Sequence, residues 1–233
     1  RIPFEDYLEF YKEINRLIPT LNDKIPVDDC KNSVFFVGDT HGSIEDAFYV
    51  IDFFMGIMKE NQEDKFLFVG DYVDRNSYDL QNLTLIVAFY ILFQDRVTLL
   101  RGNHEDRTIN EYYGFMDNLL RRFYDQAEEL YEEILTFFMH LPIAHISEIH
   151  KPEGGIGARV FSVHGGIPID RNDFMKPIIL EDVKDQLVCE VEKSDLMDNL
   201  TVSMLWSDPD ELINYIVTDD NNSGTMQFGR PVF

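Results

Sequence analysis

The sequence predicts a mixed α/β fold, and two observations support that prediction. Four short apolar segments have the length and composition of buried strands, namely 34–37, 66–69, 97–100 and 160–163. The polar residues that follow the first three, Asp39, Asp71 and Asn103, recur at intervals of 32 residues. An interval of this length fits one strand–helix–strand unit, whose right-handed crossover brings the next strand parallel to the last.

Helices are predicted where apolar residues recur every three or four positions. Residues 4–18 have this spacing and predict an amphipathic helix, which a loop over 19–33 follows. Ser43 suits the N-cap of a second helix that runs to about Lys59, since its hydroxyl can accept from the free backbone N–H groups there. Acidic residues in the first turn also favour this helix start. The segment 79–93 predicts a third helix, whose apolar run is too short to span a bilayer and fits the core.

The second half of the chain has a different pattern. Residues 117–140 predict one long helix with an acidic outer face and an apolar inner face. The segments 143–149 and 158–163 predict the two strands of a hairpin. Beyond the hairpin we expect a short helix around 179–187 and a polar, mobile tail over 207–224.

The charge of the chain limits the partners that it can bind. With 20 basic and 43 acidic residues, the formal net charge is −23. A surface this acidic argues against a nucleic-acid backbone or an anionic membrane as the main partner. Cys30 and Cys189 are too few for a disulfide framework, and they indicate thiols of a reducing compartment. We therefore expect a cytoplasmic or nuclear location, or both.

Candidate metal ligands follow all four apolar segments. These side chains are Asp39, His41, Asp71, Asn103 and His164. Open α/β sheets build their sites at the carboxyl ends of strands. A mixture of oxygen and nitrogen ligands suits manganese, iron or zinc better than calcium. Because five ligands exceed one tetrahedral site, we predict two metal ions that share Asp71 and supply a hydroxide able to attack phosphorus.

The same loops carry side chains suited to proton transfer and phosphate binding. His104 follows a predicted ligand and is free to protonate a leaving alkoxide as a general acid. Asp74 is the carboxylate expected to fix the tautomer of His104. Arg75 and Arg101 can both reach the phosphate oxygens, where charge accumulates in the transition state, but Arg101 could equally pair with one of the many acidic residues.

Four motifs in this chain resemble the signature blocks of the serine/threonine protein phosphatases of the phosphoprotein phosphatase family. They are Gly-Asp-Thr-His-Gly at 38–42, Gly-Asp-Tyr-Val-Asp-Arg at 70–75, Arg-Gly-Asn-His-Glu at 101–105 and His-Gly-Gly-Ile at 164–167. Their order and spacing agree with the family. Weaker marks at 113–115, 141–144 and 206–209 extend the resemblance to about residues 30–230.

This resemblance implies a fold and a metal centre. The chain would be one calcineurin-like metallophosphoesterase catalytic domain over 1–233, with a central β-sandwich flanked by helices. Two ions, of manganese, iron or zinc, would be shared among the ligands. Asp39, His41 and Asp71 would hold the first ion. Asp71, Asn103 and His164 would hold the second.

The resemblance also implies roles around the metals. His104 and Asp74 would be the proton-donor pair, and Arg75 the phosphate binder. A substrate groove beside the metals would be lined by Ile109, Tyr113 and Trp206. The substrates would be phosphoserine and phosphothreonine in phosphorylated proteins, with regulatory subunits as further partners.

Three departures from the family pattern leave alternatives open. Asn76 replaces the glycine that ends the family's turn, and we expect it to tolerate left-handed backbone. Ser223 stands where a second phosphate-binding arginine is usual, a place that Arg230 could fill. The chain stops at Phe233, before the block with the last histidine ligand, so we expect it to lack its C-terminal part. A dinucleoside polyphosphate hydrolase and a pseudophosphatase that acts as a binding module are the alternatives.

Several other chemically capable side chains are best explained by structure alone. Three histidines have no role in the predicted site. By their sequence positions, His140 lies at a helix end, His145 in a strand and His150 in a hairpin loop. Tyr7 and Tyr11 belong to the apolar face of the first helix and are expected to pack in the core.

Overall fold

The helices and strands alternate along the chain in a computed structural model that describes residues 2–18, 25–168, 199–209, 216–218 and 226–228. In this part of the chain the α-helices are α1 (Phe4–Leu17), α2 (Ile44–Glu60), α3 (Asp79–Leu92), α4 (Arg107–Tyr113), α5 (Phe115–Phe123), α6 (Ala127–His140) and α7 (Asn199–Trp206). The strands are β1 (Val27–Cys30), β2 (Val34–Val37), β3 (Lys65–Phe68), β4 (Val97–Leu99), β5 (Ala144–His150), β6 (Ile156–Val163), β7 (Asp208–Pro209), β8 (Ile216–Thr218) and β9 (Met226–Phe228). The mixed α/β class is therefore confirmed.

One parallel sheet has the strand order β2–β3–β4. Its register pairs Phe36 with Leu67 and Phe68 with Leu99, so the three strands end at the same edge. The crossovers are α2 and α3, as the intervals of 32 residues predict. The first three ligand loops consequently leave the sheet side by side.

A second sheet has the order β1–β5–β6. The hairpin of β5 and β6 is confirmed, and its strands are antiparallel. The prediction of a loop throughout 19–33 is wrong, because β1 pairs parallel with β5 from Val27 to Cys30. Two adjacent aspartates give this segment little strand propensity, so a pairing partner more than a hundred residues away decides its conformation.

The prediction of one long helix over 117–140 is also wrong. The chain forms α5 and α6, separated by a single 3₁₀ turn at Tyr124–Gln126. Tyr124 has φ +55°, which no helix can continue through. The break lets α5 and α6 pack against each other, so that both bury their apolar faces.

The core joins the parallel sheet to the helices through aromatic side chains. Phe66 of β3 packs on Phe54 of α2 with ring centroids 4.2 Å apart. Tyr7 and Tyr11 of α1 are buried, which confirms their assignment to packing. The strand β2 is less buried than predicted: it is an edge of its sheet, and Phe36 is 49% exposed.

Among the described helices, none combines the length and the apolar character needed to cross a membrane.

Some predictions lie wholly or partly beyond the described ranges. The helix expected around 179–187 and the residues Cys189, Ser223 and Arg230 are outside them. The tail predicted over 207–224 is described only at 207–209 and 216–218, where it forms β7 and β8 rather than irregular chain.

Candidate metal centre

The ligand loops leave the sheet through turns with unusual backbone conformations. Positive φ angles occur at His41 (+39°) and Asp71 (+56°), values that non-glycine residues adopt at an energetic cost. Gly70 also has a positive φ of +110°, and a Cβ added there would collide with the backbone of Gly102. The glycines in these two motifs therefore allow the second and third ligand loops to touch.

Asp71 lies at the centre of the cluster. Its Oδ2 is 3.3 Å from Nε2 of His41, and its Oδ1 is 3.4 Å from Nε2 of His164. The same Nε2 atom of His41 lies 3.7 Å from Oδ2 of Asp39. The structure thus brings these predicted ligands together around a shared carboxylate. His164 arrives from the second sheet, because it follows β6.

Both histidines turn the same ring nitrogen toward Asp71. Nδ1 of His41 lies 2.9 Å from the carbonyl oxygen of Val73, and Nδ1 of His164 lies 3.0 Å from that of Val69. A carbonyl can only accept, so each Nδ1 carries the proton and each Nε2 presents a lone pair. Nε2 of His41 is buried and has no hydrogen-bond partner within the described residues. Burial also lowers the pKa of His41, which keeps its ring neutral and able to bind a metal.

Asn103 completes a set of acceptors. Its Oδ1 lies 3.0 Å from Nε2 of His164, so two lone pairs face each other. With no cation between them, turning the amide would let its nitrogen donate to Asp71 and His164. With a cation between them, the oxygen would face inward, as an amide ligand does. The orphaned nitrogen of His41 and this facing pair both fit a metal site.

Two groups of ligand atoms are close enough to hold ions. One contains His41, Asp71 and His104, and the other contains Asp39, Asp71 and His164. Both groups include Asp71, but they divide the other residues differently from the predicted sets, since Asp39 is grouped with His164 and His41 with His104. The assignment of ligands to two ions therefore stays a prediction. The grouping of His104 with His41 shows how closely the predicted acid lies to the ligands, since their ring centroids are 4.6 Å apart.

His104 and Asp74 form the predicted pair. Nδ1 of His104 lies 2.8 Å from Oδ2 of Asp74, which is 0% exposed. Asp74 also accepts from the side chain of Asn110 and from the backbone of Phe115, so its carboxylate is fully bonded. Burial alone would lower the pKa of His104, but the bond to Asp74 and the charges of Asp71 and Glu105 outweigh it and raise that pKa.

Arg75 and Arg101 have different surroundings in the part of the chain that the structure describes. Nη2 of Arg75 lies 3.4 Å from Nε2 of His104. Arg101 is buried, its Nε donates to the carbonyl of Glu105, and its side chain lines a cavity against α6. Within the described residues its guanidinium thus contacts the start of α4, as the alternative of pairing with an acid predicts, and a phosphate-binding role for Arg101 stays untested.

The predicted groove residues have different surroundings. Tyr113 is 53% exposed and its ring lies 5.0 Å from that of His104. Ile109 is half-buried one turn earlier on α4. Trp206 is half-buried against a small core cluster that includes Leu205. Backbone bonds from Gly165 and Gly166 to the carbonyls of α7 keep this helix beside the His164 loop.

Glu105 has a structural role that was not predicted from the sequence. It is 0% exposed and accepts three backbone hydrogen bonds of 2.8 Å, from Asp71, Tyr72 and Gly102. It thereby ties the second ligand loop to the third. Burial raises the pKa of both Glu105 and Asp71, and a bound cation would favour the ionised form of Asp71. The one sequence feature that could have indicated this role is the position of the acid directly after the Asn103–His104 pair.

Fold and site together define an α/β protein with a cluster of candidate metal ligands, most of which follow the parallel strands β2, β3 and β4, while His164 follows β6 of the second sheet. Residues 33–225 match the family described as calcineurin-like phosphoesterase. The chain belongs to this family.

Relatives within the family include serine/threonine protein phosphatases, which confirms the resemblance seen in the motifs. The chain is 32% identical over 181 residues to a probable serine/threonine-protein phosphatase of Encephalitozoon cuniculi, covering 77% of this chain and 34% of that protein. It is 31% identical over 213 residues to the serine/threonine-protein phosphatase 4 catalytic subunit of Eremothecium gossypii, covering 91% of this chain and 59% of that protein.

A solved structure supports the fold. A protein serine/threonine phosphatase from Saccharomyces cerevisiae, described as similar to human phosphatase PP5, superposes with a TM-score of 0.69 at 22% identity. The match covers 98% of this chain and 65% of that one. The chain thus spans between about one third and two thirds of the length of these relatives.

Proposed function

We propose that this chain hydrolyses phosphate monoesters of serine and threonine in proteins. One observation carries the proposal: a cluster of metal-ligand acceptors lies against a buried His–Asp pair and a guanidinium. His104 connects these parts, since it belongs to a ligand group with Asp71 and its Nε2 lies 3.4 Å from Nη2 of Arg75. Metal ligands, a proton donor and a phosphate-binding cation are the parts that phosphoryl transfer requires.

Two metal ions would occupy the cluster. Asp39, His41 and Asp71 would hold the first, and Asp71, Asn103 and His164 the second. The mixed oxygen and nitrogen ligands favour manganese, iron or zinc. When bound, such ions act as Lewis acids toward phosphoryl oxygens and lower the pKa of a coordinated water.

The chain's own residues would handle the proton and the phosphate charge. His104, held in one tautomer by Asp74, would give the proton on Nε2 to the departing serine or threonine oxygen. Asp74 is buried and accepts only from protein groups, so its carboxylate lies where it stabilises the imidazolium form of His104. Arg75 would donate to the phosphate oxygens, where negative charge accumulates.

The substrate class rests on the relatives and on the surface beside the centre. Both curated relatives carry the name of serine/threonine-protein phosphatases. Tyr113 offers an exposed ring next to His104, a surface on which the peptide around a phosphorylated residue could pack. Regulatory subunits are further proposed partners, as the catalytic-subunit name of one relative suggests.

A turnover assay with Mn²⁺ tests the proposal. The chain should release phosphate from a phosphothreonine peptide, and His104→Asn should abolish most of that release while retaining Mn²⁺ binding. His145→Asn is the matched control, because His145 is an equally buried histidine paired with Asp28 away from the centre. Hydrolysis of diadenosine tetraphosphate in preference to the peptide would indicate the alternative hydrolase. Absence of turnover with intact metal binding would indicate a binding module.

A further inference from the structure

Asn76 occupies an unexpected position at the metal centre. It was expected to adopt left-handed backbone in place of the family's glycine, but the positive φ angles of this loop fall on Asp74 (+70°) and Arg75 (+69°) instead. Its side chain makes the notable contact: Nδ2 donates to the carbonyl oxygen of His41 at 2.8 Å. A glycine could not make this bond.

The bond acts on a constrained peptide group of the first ligand loop. His41 has a positive φ, so its conformation has to be imposed by surrounding contacts. The peptide that joins His41 to Gly42 is held from both sides: Asn76 donates to its carbonyl, and its N–H donates to the carbonyl of Tyr72 at 2.9 Å. With Nδ1 fixed by Val73, backbone and ring together determine where Nε2 of His41 points.

Asn76 is itself held in place. Its N–H donates to the carbonyl of Asp74 at 2.9 Å, and its own carbonyl accepts from Nδ2 of Asn118 at 3.1 Å. The same Nδ2 donates to Oδ2 of Asp79 at 3.0 Å, at the start of α3. A continuous series of bonds therefore runs from Asp79 through Asn118 and Asn76 to the backbone of His41.

We propose that Asn76 is a positioning residue, which sets the geometry of the ligand His41 relative to the loop that carries Asp74 and Arg75. This inference rests on the proposed function, because it assigns a purpose to the ligand His41. The side chain of Asn76 connects the two loops. The proposed metal ligand His41 therefore keeps a fixed distance from Asp74, which supports the proton donor, and from Arg75, which binds phosphate. Asn118 supports it from α5.

Removing the amide should weaken metal binding more than folding. In Asn76→Ala we expect Mn²⁺ affinity, measured by calorimetry on the metal-free chain, to fall by about tenfold, the lower end of what lost support of a metal ligand costs. With Mn²⁺ saturating, kcat on a phosphothreonine peptide should fall several-fold with little change in KM. Asn118→Ala should act in the same direction but less, and the double variant should show less than the product of the two effects, since both act through one series of bonds.

The control is Asn15→Ala. Asn15 also donates its amide to a backbone carbonyl, that of Glu133, but at the contact of α1 with α6. It should leave Mn²⁺ affinity and kcat unchanged, although it can lower the melting temperature.

The outcomes separate this inference from the function on which it rests. Unchanged Mn²⁺ affinity in both Asn76→Ala and Asn118→Ala would overturn the positioning role. Metal binding without phosphopeptide turnover in the wild-type chain would overturn the function, while the affinity comparison would still decide the role of Asn76. A wild-type chain that binds no Mn²⁺ would overturn both.

Discussion

The imidazole of His104 and the carboxylate of Asp74 form a hydrogen bond of 2.8 Å in an environment closed to water on the carboxylate side. Asn110 donates to the same Oδ2 and also to the carbonyl of His104, so one amide holds both members of the pair. Tyr131 in turn donates to Oδ1 of Asn110. The orientation of the proposed acid is thus fixed by α4 and α6, which provide no metal ligand.

Replacing Asp74 with asparagine should remove the electrostatic support of His104. We expect kcat to fall by about 10²–10⁴-fold, the range for loss of general acid catalysis. Because Asp74 raises the pKa of His104, residual activity should disappear at a lower pH in the variant than in the wild type. The measurement is a pH–rate profile with Mn²⁺ saturating. Asp28→Asn, which alters the pair of Asp28 with His145, is the control; an equal loss of kcat there would contradict the assignment.

Asp79 should make the stability of the metal-free protein depend on pH. Burial raises the pKa of this carboxyl from 3.8 to about 7, and it is 1% exposed. The folded state therefore favours the protonated form, so the contribution of Asp79 is full below pH 4 and is lost as the pH rises to 7. The loss should be on the order of 4 kcal/mol, at ~1.4 kcal/mol for each pKa unit.

Urea unfolding between pH 4 and 8.5 measures this dependence. Other groups titrate in the same range, so the informative quantity is the difference between the wild type and Asp79→Asn. The variant should show a smaller decrease in the free energy of unfolding between pH 4 and 7. If the free energy of unfolding depended on pH in the same way in both proteins, the prediction would be contradicted, because ionising Asp79 would then not destabilise the folded state.

Glu105→Gln should loosen the contact between the second and third ligand loops. An amide group cannot accept on both sides, so at least one of the N–H groups of Asp71, Tyr72 and Gly102 loses its acceptor. We expect a loss of about 1–3 kcal/mol in the free energy of unfolding, the cost of one buried unsatisfied group. Glu132→Gln serves as the control, because its pairing with Arg107 is at the surface and should contribute ~1 kcal/mol or less. Equal losses in the two variants would contradict the role of Glu105.

Metal removal should lower the melting temperature. The acceptors of Asp71, His41 and His164 face one another when no cation lies between them, and Mn²⁺ would remove that repulsion. Excess Mn²⁺ at 100 times its dissociation constant should stabilise the folded state by about 2.7 kcal/mol per site. The check is a thermal melt after chelation and after Mn²⁺ addition. A melting temperature that is the same in both conditions would argue against a metal centre here.

Local sequence was sufficient to predict the ligand loops and the strands from which they leave. The prediction of β2 agrees at both ends, and Asp71, Asn103 and His164 converge as expected. The strands were recognisable as short apolar runs, and Asp71 and Asn103 follow from the rule that parallel strands end at one sheet edge; His164, which leaves the second sheet, was recognisable only from its position after an apolar run. These signals are properties of neighbouring residues, so no knowledge of distant contacts was needed.

The features that were missed depend on contacts far apart in the sequence. The strand β1 forms only because β5 offers it a partner. The break at Tyr124 is an exception: it separates two consecutive helices, and it lets α5 pack against α6. Arg101 follows a strand that delivers a ligand, yet it lines a cavity with Leu135 and Phe138 of α6, which lie more than 30 residues further along the chain. Asn76 looked like a tolerated replacement of glycine, because the carbonyl that it binds lies 35 residues earlier.

Crystals grown with Mn²⁺ offer the most direct test of the shared-carboxylate centre. An anomalous difference map should show two peaks, one on either side of the Asp71 carboxylate. The first should lie within ligand distance of His41 and the second within ligand distance of His164. In Asp71→Asn, both peaks should weaken or vanish. A wild-type map with no manganese beside Asp71 would contradict the metal centre and the hydrolase function built on it.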